Sequence, residues 1–376
     1  MTRILAVGAG SMGRRRLRDL IALNAGEVIL YEPATERCRE VAARYGIRGF
    51  TDLETAFKEN PDVVTVSVPP ALHDNYVARA MAESKHVMAE VPFAFGLEAM
   101  ERVGAASRQY PKILGISHTI RYYPPFRLIR DLIHSERIGR PYYLEFSLGN
   151  YLPDWHPYED YRKFYVSDVG LGGAGMDMLL HELAAIQWWL GPVRSVYAQF
   201  TKLSDLEIQG PDNHDIMLEF ERGTRGLFHH DIIERGTPGR HVRIVGSSGS
   251  VEWHQWMPVV RVVEGRESQM REVPFSEAAD WSEAIAASRE SAAIVAGSPL
   301  PSGRLPEEGD AEFRYESCYL RELRHFLDAV RGERTFSMAN VDEELHNVRV
   351  FHAIRRSAAE GRPVAVAELS GLRATL

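Results

Sequence analysis

Cysteine is scarce in this sequence: Cys38 and Cys318 are the two cysteines among 376 residues. Two cysteines cannot build the disulfide framework of a small secreted protein, nor a zinc site that depends on several thiolates. The scarcity favours a reducing compartment. We therefore predict a cytoplasmic location.

Long apolar runs are also missing, since none approaches the roughly 18 residues that a membrane span needs. The chain enters a predicted strand at Arg3–Val7 without a charged leader and an extended apolar stretch, which predicts that no signal peptide is present. We therefore expect no association with a membrane.

Basic charge is not in excess, because the net charge is −8. This charge argues against a nucleic-acid partner, since proteins that bind nucleic acid usually present a basic stripe. The short basic run Arg14–Arg16 falls inside a predicted helix. We interpret it as a solvated helix face.

The length favours two domains, because single cores stop growing near roughly 250–300 residues. In the first 120 residues, short β-rich segments alternate with amphipathic ones. The candidate strands are Arg3–Val7, Val28–Tyr31, Val63–Val68, His86–Ala89 and Ile113–Ser117. This alternation predicts an α/β domain over residues 1–120, with a parallel sheet and crossover helices.

Residues 121–376 have a different pattern, in which turns with glycine separate longer strand-like segments. The candidate strands are Tyr142–Leu148, Val193–Leu203, Asp215–Phe220, Gly226–Ile233 and His241–Val245. They predict an α+β domain with an open, mainly antiparallel sheet. Predicted helices cover Gly175–Leu190, Tyr319–Val330 and Asp342–Glu360. We interpret residues 264–312 as an insertion or long loop, with a helix near Trp281–Val295 as an option.

A glycine motif follows the first strand directly and opens a helix. It reads Gly8, Ala9, Gly10, Ser11, Met12, Gly13. The first glycine permits a tight turn, the second lets the backbone approach a pyrophosphate, and the third lets the helix pack against the strand. The helix N-terminus offers free N–H groups to the phosphates. The motif predicts a dinucleotide-binding Rossmann domain.

Glu32 stands at the end of the second predicted strand, about 20 residues after the motif. A carboxylate there can accept hydrogen bonds from both ribose hydroxyls and would repel a 2′-phosphate, which favours NAD over NADP. The alternative is that Glu32 merely caps the turn at Pro33. Arg37 lies close enough in sequence to leave NADP possible.

Several later segments of the chain resemble the motifs of one known family. They are Val66–Pro69 with Leu72 and His73, the run Lys85–Pro92, and the stretch from Gly172 and Gly173 to Asp177 and His181. With the glycine motif, they make nearly the whole chain resemble the Gfo/Idh/MocA oxidoreductases. Residues 151–156, 160–162 and 202–207 look like a subgroup found in surface-polysaccharide sugar pathways.

The resemblance implies a role for each matching residue. Gly8, Gly10, Gly13 and Glu32 would hold the adenosine half of NAD, with Ser11 and Met12 in the same loop. Pro69, His73 and Glu90 would lie along the nicotinamide half. Arg121 and Tyr122 would face the substrate, and Asp177 and His181 the reacting carbons.

One residue departs from the family pattern: Val91 stands where these enzymes usually have a lysine that hydrogen-bonds the substrate hydroxyl. Hydride transfer still needs a base for the hydroxyl proton. Asp177 and His181 share one helix face, so the carboxylate could orient the imidazole as the replacement. The alternative is a structural i,i+4 pair. Lys163 is a weaker candidate, since a loop lysine is usually solvated.

Other polar and aromatic residues could bind the substrate or could serve the structure alone. Arg162 suits a carboxylate or phosphate on the substrate, and Trp155 could stack on a sugar face or anchor the core. The sequence His181-Glu182 lacks the second histidine of a zinc helix, and residues 229–231 alternate faces along a predicted strand. We therefore predict no metal site.

We favour an NAD-dependent oxidoreductase that acts on a sugar, nucleotide sugar or related polyol. His181 would be the acid/base, with Asp177 orienting it and Arg121 and Arg162 holding the substrate. One alternative is a redox-neutral enzyme that keeps NAD bound, and another is a non-catalytic NAD sensor. The open sheet face predicts a homo-oligomer, either a dimer or a tetramer.

Overall fold

The structure is a computed structural model. It describes residues 2–156, 159–163, 165–173, 176–236, 238–265, 269–298, 312–337 and 340–369. The described residues form two compact units. The first comprises those within 1–119, 287–304 and 316–345, and the second those within 120–286, 305–315 and 346–376. The chain first passes from one unit to the other after residue 119, and two later segments return to the first unit.

The strands are named in chain order. They are β1 Arg3–Val7, β2 Glu27–Tyr31, β3 Arg48–Phe50, β4 Val63–Val66, β5 His86–Glu90, β6 Leu114–Ser117, β7 Pro141–Gly149, β8 Val193–Thr201, β9 Asn213–Phe220, β10 Arg225–Asp231, β11 Gly239–Gly246, β12 Gly249–His254, β13 Val259–Glu264, β14 Arg271–Pro274 and β15 Val364–Ala365.

The helices are named in the same way. They are α1 Ser11–Ala22, α2 Thr35–Tyr45, α3 Leu53–Lys58, α4 His73–Ala82, α5 Leu97–Ser107, α6 Pro124–His134, α7 Met176–Leu190, α8 Trp281–Ala296, α9 Glu316–Val330 and α10 Val341–Glu360. The predicted start of the α7 helix at Gly175 lies outside the described residues.

The first unit is built on a parallel sheet with strand order β3-β2-β1-β4-β5-β6. Strands β1 and β4 are nearly continuous runs of buried aliphatic residues, as expected for parallel strands that are covered on both faces. The predicted Rossmann architecture is confirmed. The sequence analysis missed β3, whose residues Arg48–Phe50 are largely accessible to solvent and show no apolar alternation.

The second unit contains a nine-stranded sheet in the part of the chain that the structure describes, with the order β14-β13-β12-β11-β7-β10-β9-β8-β15. Strands β7 and β10 pair parallel, and the other neighbouring pairs are antiparallel. This confirms the predicted open, mainly antiparallel sheet. An aromatic core lies beside it, where the Phe126 ring packs 4.7 Å from Trp189 and 5.7 Å from Trp253.

The prediction of an insertion or long loop over 264–312 is wrong for much of its length. Strand β14 extends the sheet at Arg271–Pro274, and α8 occupies Trp281–Ala296, where the sequence suggested a helix. The alternation in β14 covers four residues only, which is too short to stand out from a polar surrounding. Residues 299–311 lie outside the described part.

The interpretation of Arg14–Arg16 as a solvated face is also wrong. Arg15 and Arg16 are buried, and so is Arg18 one turn later. Helix α1 packs against α9, which presents the carboxylates of Glu316 and Glu322 to these guanidinium groups. A sequence pattern could not reveal this, because the partners lie roughly three hundred residues away.

Candidate functional site

Two of the three motif glycines are required by the packing of the protein itself. Gly8 has φ +96°, and a Cβ there would lie 2.4 Å from the carbonyl oxygen of Ser67. A Cβ on Gly13 would lie 2.1 Å from the carbonyl oxygen of Gly8. Any larger residue at either position would push the loop away from β4 or α1 away from β1.

Gly10 is different, because a Cβ built there meets no described atom within 4 Å. Gly10 is also the N-cap of α1, and no side chain of the described residues caps this helix. The first-turn N–H groups therefore point into open space with the partial positive charge of the helix end. This cradle fits the pyrophosphate of a dinucleotide.

Glu32 follows β2, and its side chain is buried beside the glycine loop. Its Oε2 accepts a hydrogen bond from the backbone N–H of Ala9, and its Oε1 accepts one from Ala34, both at 3.0 Å. The bond to Ala34 has the turn-capping character of the alternative interpretation. The bond to Ala9 brings the carboxylate against the phosphate cradle, where a ribose would lie. Arg37 Nη1 is 3.7 Å away.

The remaining predicted cofactor residues surround the same loop. Ser11 and Met12 form the start of α1, and Arg15 Nη1 lies 2.7 Å from the Met12 sulfur. Pro69 precedes a short 3₁₀ turn. The ring of His73 is buried, with Nδ1 2.6 Å from the carbonyl oxygen of Pro92 and Nε2 2.9 Å from that of Val68. His73 can therefore fix the turn that would flank the cofactor.

Glu90 is the last residue of β5, so it lies at the same carboxyl edge of the sheet as the ends of β1 and β4. Its carboxylate accepts hydrogen bonds from Arg16 and lies within 3.4 Å of the Ser67 hydroxyl. The next residue, Val91, is 2% exposed. The side chain that replaces the family lysine is thus an apolar group packed into the protein.

In the second unit, the Asp177 carboxyl is buried in the first turn of α7. The hydroxyl of Tyr165 donates to its Oδ2 at 2.5 Å, and its Oδ1 has no hydrogen-bond partner among the described residues. Burial raises the pKa of Asp177, and the hydrogen bond from Tyr165 partly offsets that rise. The orphaned Oδ1 marks a place where a further polar group would be stabilised.

His181 lies one turn after Asp177 on α7 and is partly buried. The adjacent Glu182 is fully buried and forms an ion pair with Arg240, whose Nη2 lies 2.6 Å from Oε1. Glu182 is therefore committed to the packing of α7 against β11. The ion pair fixes the helix that carries Asp177 and His181.

The predicted substrate residues have different surroundings. Arg121 is buried, and its guanidinium carbon lies 5.6 Å from the ring centre of Trp188; the neighbouring Tyr122 is buried too. Trp155 packs against the small apolar cluster of Leu152, Val166 and Ile232, which favours its core-anchor interpretation. Arg162 is 53% exposed and pairs with Asp160 and Glu207. Their roles toward a substrate stay predictions.

The histidines of the second sheet lie outside the group formed by Tyr165, Asp177 and His181. His229 is held by Asp215 and Asp231, which raises its pKa to about 9, while its neighbour His230 lies fully buried against His214. His241, Glu252 and His254 are close enough to share an ion. However, the two imidazole rings stack at 14°, so their in-plane lone pairs do not converge.

The sequence analysis missed two residues that contact predicted ones. Tyr165 belongs to no recognised motif, and only its hydrogen bond to Asp177 reveals a role. Arg16 was assigned to the surface, although it binds Glu90. The signal for Arg16 was an arginine run directly after the glycine motif, where an exposed helix would more often alternate charges.

Comparisons with known proteins agree with this geometry. Residues 2–118 match the model of an oxidoreductase family with an NAD-binding Rossmann fold. Residues 126–252 match the model of the GFO/IDH/MocA C-terminal domain. The chain belongs to the Gfo/Idh/MocA family. It is therefore an NAD(P)-dependent oxidoreductase, and the prediction of NAD as the cofactor is confirmed by the family.

Individual relatives are distant but span the chain. The scyllo-inositol 2-dehydrogenase (NAD(+)) of Bacillus subtilis is 22% identical and covers 96% of this chain and 95% of its own. The myo-inositol 2-dehydrogenase of Thermotoga maritima is 25% identical over 66% of this chain and 74% of its own.

A solved structure shares the fold. The WlbA dehydrogenase of Bordetella pertussis, solved in complex with NADH and UDP-GlcNAcA, superposes with a TM-score of 0.75. It is 19% identical, and the match covers 97% of each chain. Across the described residues of this protein, no helix is both long and apolar enough to cross a membrane.

Proposed function

We propose that the enzyme transfers hydride between a carbinol carbon of a sugar, nucleotide sugar or related polyol and NAD. The observation that carries this proposal is the buried Asp177 carboxyl, which has one oxygen held by Tyr165 and the other unpartnered, one turn before His181. Relatives named for action on inositols and on deoxysugar nucleotides support the substrate class.

The chemistry divides between the cofactor and the chain. When held by Gly8, Gly10, Gly13 and Glu32, NAD+ would supply the hydride acceptor for the carbinol carbon. The imidazole of His181 takes the hydroxyl proton, and the products are a ketone, NADH and a protonated histidine. Asp177 stabilises the protonated ring, since an adjacent carboxylate favours imidazolium. The hydrogen bond from Tyr165 orients the Asp177 carboxyl and opposes the rise in its pKa that burial causes.

A redox-neutral reaction is the second candidate, and Val91 is the observation that favours it. A buried valine cannot donate or accept the proton that the family lysine handles. An enzyme that oxidises its sugar transiently and then reduces it again would return the hydride to the same molecule. Product would then form without net NADH, so absorbance at the NADH band distinguishes the two reactions.

Replacement of His181 tests the proposal. General acid–base assistance contributes about 10²- to 10⁴-fold, so His181→Ala should lose that much in kcat while NADH binding stays nearly unchanged. Val91→Lys should raise activity, or rescue part of the His181→Ala loss, because it restores an amine at the family position. The assay is NADH formation with a panel of inositols and sugars.

The control is His254→Ala, which removes a half-exposed histidine of β12 outside the proposed site. It should retain full activity. If His181→Ala also retains full activity and Val91→Lys changes nothing, the proton is handled elsewhere, and Lys163 and Tyr161 become the next residues to replace.

The homo-oligomer stays a prediction, and two exposed apolar residues support it. Met217 on β9 and Leu227 on β10 face each other across the strands and are 52% and 43% exposed. Such a pair on an open sheet is typical of a surface that another subunit covers. Light scattering of the purified protein gives the mass directly, and a monomer would contradict the prediction.

A further inference from the structure

Arg16 is a charged side chain buried near the cofactor cradle, with 1% of its surface exposed. Its Nε donates to Glu90 Oε1 at 2.8 Å, and its Nη2 lies 3.3 Å from Glu90 Oε2. The same Nη2 donates to Ser117 Oγ at 2.7 Å and to Glu322 Oε2 at 2.9 Å. One guanidinium therefore joins the ends of β5 and β6 to α9.

The charges around Arg16 explain how it can be buried. Burial alone would lower the pKa of Arg16, but the carboxylates of Glu90 and Glu322 raise it above its ordinary value. A buried arginine between two carboxylates is stable only when its hydrogen bonds are satisfied. Here the planar fork reaches both carboxylates at once, which a lysine ammonium cannot reproduce.

Glu322 has no route to the cofactor cradle of its own, since it is fully buried. Its Oε2 accepts from Arg16, Ser117 and Thr119, whereas its Oε1 has no partner among the described residues. Burial raises the pKa of Glu322, and Arg16 offsets part of that rise. Glu322 thus acts as a fixed counter-anion that holds the guanidinium in place from behind.

Glu90 is the member of this group that faces the cofactor cradle. Its carboxylate lies beside Ser67, and the Ser67 carbonyl oxygen is the atom that limits Gly8 to a glycine. The two contacts from Arg16 engage both carboxylate oxygens from one side. They therefore fix the orientation of the carboxylate at the carboxyl edge of the sheet.

We infer that Arg16 is a positioning residue, which acts on the nicotinamide half of bound NAD by holding the Glu90 carboxylate in one orientation. Arg16 lies one turn beyond the phosphate cradle of the same helix, but its effect passes through Glu90 and not through the phosphates. The inference rests on the proposed placement of Glu90 beside the nicotinamide.

Two ligands separate the halves of the cofactor. NADH contains the nicotinamide, whereas ADP-ribose contains the adenosine and pyrophosphate without it. Arg16→Lys keeps the charge and loses the fork. It should weaken NADH binding about tenfold and leave ADP-ribose within about twofold of the wild type, measured by fluorescence titration of NADH and calorimetry of ADP-ribose.

A matched control comes from the neighbouring buried arginine. Arg15 pairs with Glu316 and stacks on Tyr319, and the structure shows no contact between it and Glu90 among the described residues. Arg15→Lys also removes a buried fork from α1. It should lower the melting temperature while the ratio of NADH affinity to ADP-ribose affinity stays that of the wild type.

A double-mutant cycle shows whether the effect passes through Glu90. In a Glu90→Gln background, Arg16→Lys should change NADH affinity by less than about twofold, since the carboxylate that it positions is gone. If Arg16→Lys does not fold, Glu322→Gln replaces it. That variant keeps an acceptor behind the guanidinium, removes one anchoring charge, and should lower NADH affinity about threefold without affecting ADP-ribose.

Three results would overturn the inference. Equal weakening of both ligands would place the effect in the phosphate cradle, and unchanged binding of both would remove the effect. A full tenfold loss on the Glu90→Gln background would show a purely structural role. Failure of the wild type to bind either ligand would overturn the cofactor site itself, whereas a wrong sugar substrate would alter none of these titrations.

Discussion

Backbone atoms form the cofactor cradle of the first unit, whereas side chains form the proposed acid–base group of the second unit. Around Gly8, Gly10 and Gly13, the backbone makes the site, and the chain approaches itself so closely that two positions cannot accept a Cβ. Around Asp177, side chains make the site through a phenol hydroxyl and a buried carboxyl.

This difference has a consequence for how each half responds to change. A backbone cradle fails abruptly, because a single methyl group either clashes with a carbonyl or occupies the space of the phosphates. A side-chain site fails by degrees, because removal of one hydrogen bond leaves the remaining groups near their positions.

Alanine at the motif glycines should produce the largest effect. Gly13→Ala should abolish detectable NAD binding and lower the free energy of unfolding by about 1–3 kcal/mol or more, because its Cβ overlaps a carbonyl oxygen. Gly10→Ala should weaken NAD at least about tenfold at an unchanged melting temperature, because its Cβ meets only the ligand. Calorimetry and thermal unfolding of both variants give the comparison, and equal melting temperatures would contradict it.

Glu32→Ala should have the next largest effect. Loss of a buried carboxylate that hydrogen-bonds ribose hydroxyls should weaken NAD about 10- to 100-fold, while NADP binding changes little. Glu36→Ala is the matched control, because it removes an exposed carboxylate from the first turn of α2, and it should leave NAD affinity unchanged. Equal losses for NAD and NADP in Glu32→Ala would refute the assignment of Glu32 to the ribose.

In the second unit, the substitution Tyr165→Phe removes one hydrogen bond to the buried Asp177 carboxyl. It should reduce kcat/KM of the enzyme about tenfold. That bond lowers the pKa of Asp177, so its loss should raise the pKa and move the acidic limb of the pH profile to higher pH. Tyr142→Phe is the control, because it removes the hydroxyl of an exposed tyrosine on β7 that has no role in the proposed site. An unshifted acidic limb in Tyr165→Phe would contradict this role.

The buried histidine pair should affect stability alone, without a change in NAD binding or turnover. Burial lowers the pKa of His214 to about 4, so the ring stays neutral in the fold while the unfolded chain takes up a proton below about pH 6.5. Because the folded state keeps His214 neutral, its contribution to the free energy of unfolding is fully present above about pH 6.5. On the order of 3 kcal/mol of this contribution is lost as the pH falls toward 4. His214→Phe should flatten that fall in chemical denaturation, and an unchanged slope would contradict it.

Much of the cofactor half could be predicted from the sequence, because its requirements are local. A strand, three glycines and a helix follow one another without interruption, and Glu32 comes at the end of the next strand. The parallel sheet followed from the same regular alternation. Among its strands, β3 escaped, since its three residues are largely accessible to solvent and carry no pattern.

The substrate half could be predicted less well, because its contacts join distant segments. Tyr165 meets Asp177 only through the fold of a loop. The same limit applies to Arg16 in the first unit, which is buried only because α9 returns there with its glutamates. An arginine run looks the same in the sequence whether it faces water or carboxylates. The missing lysine at Val91 was visible, but which group replaces it depends on geometry.

Deuterium transfer measures directly whether hydride passes from the carbinol carbon of the substrate to NAD. The enzyme is incubated with NAD+ and inositols or sugars that carry deuterium on their carbinol carbons, and the nicotinamide is then analysed by mass spectrometry. If hydride passes to the cofactor, we expect one deuterium at nicotinamide C4 for each ketone formed. Substrate turnover without deuterium in the accumulated NADH, or without any NADH, would contradict net hydride transfer to the cofactor.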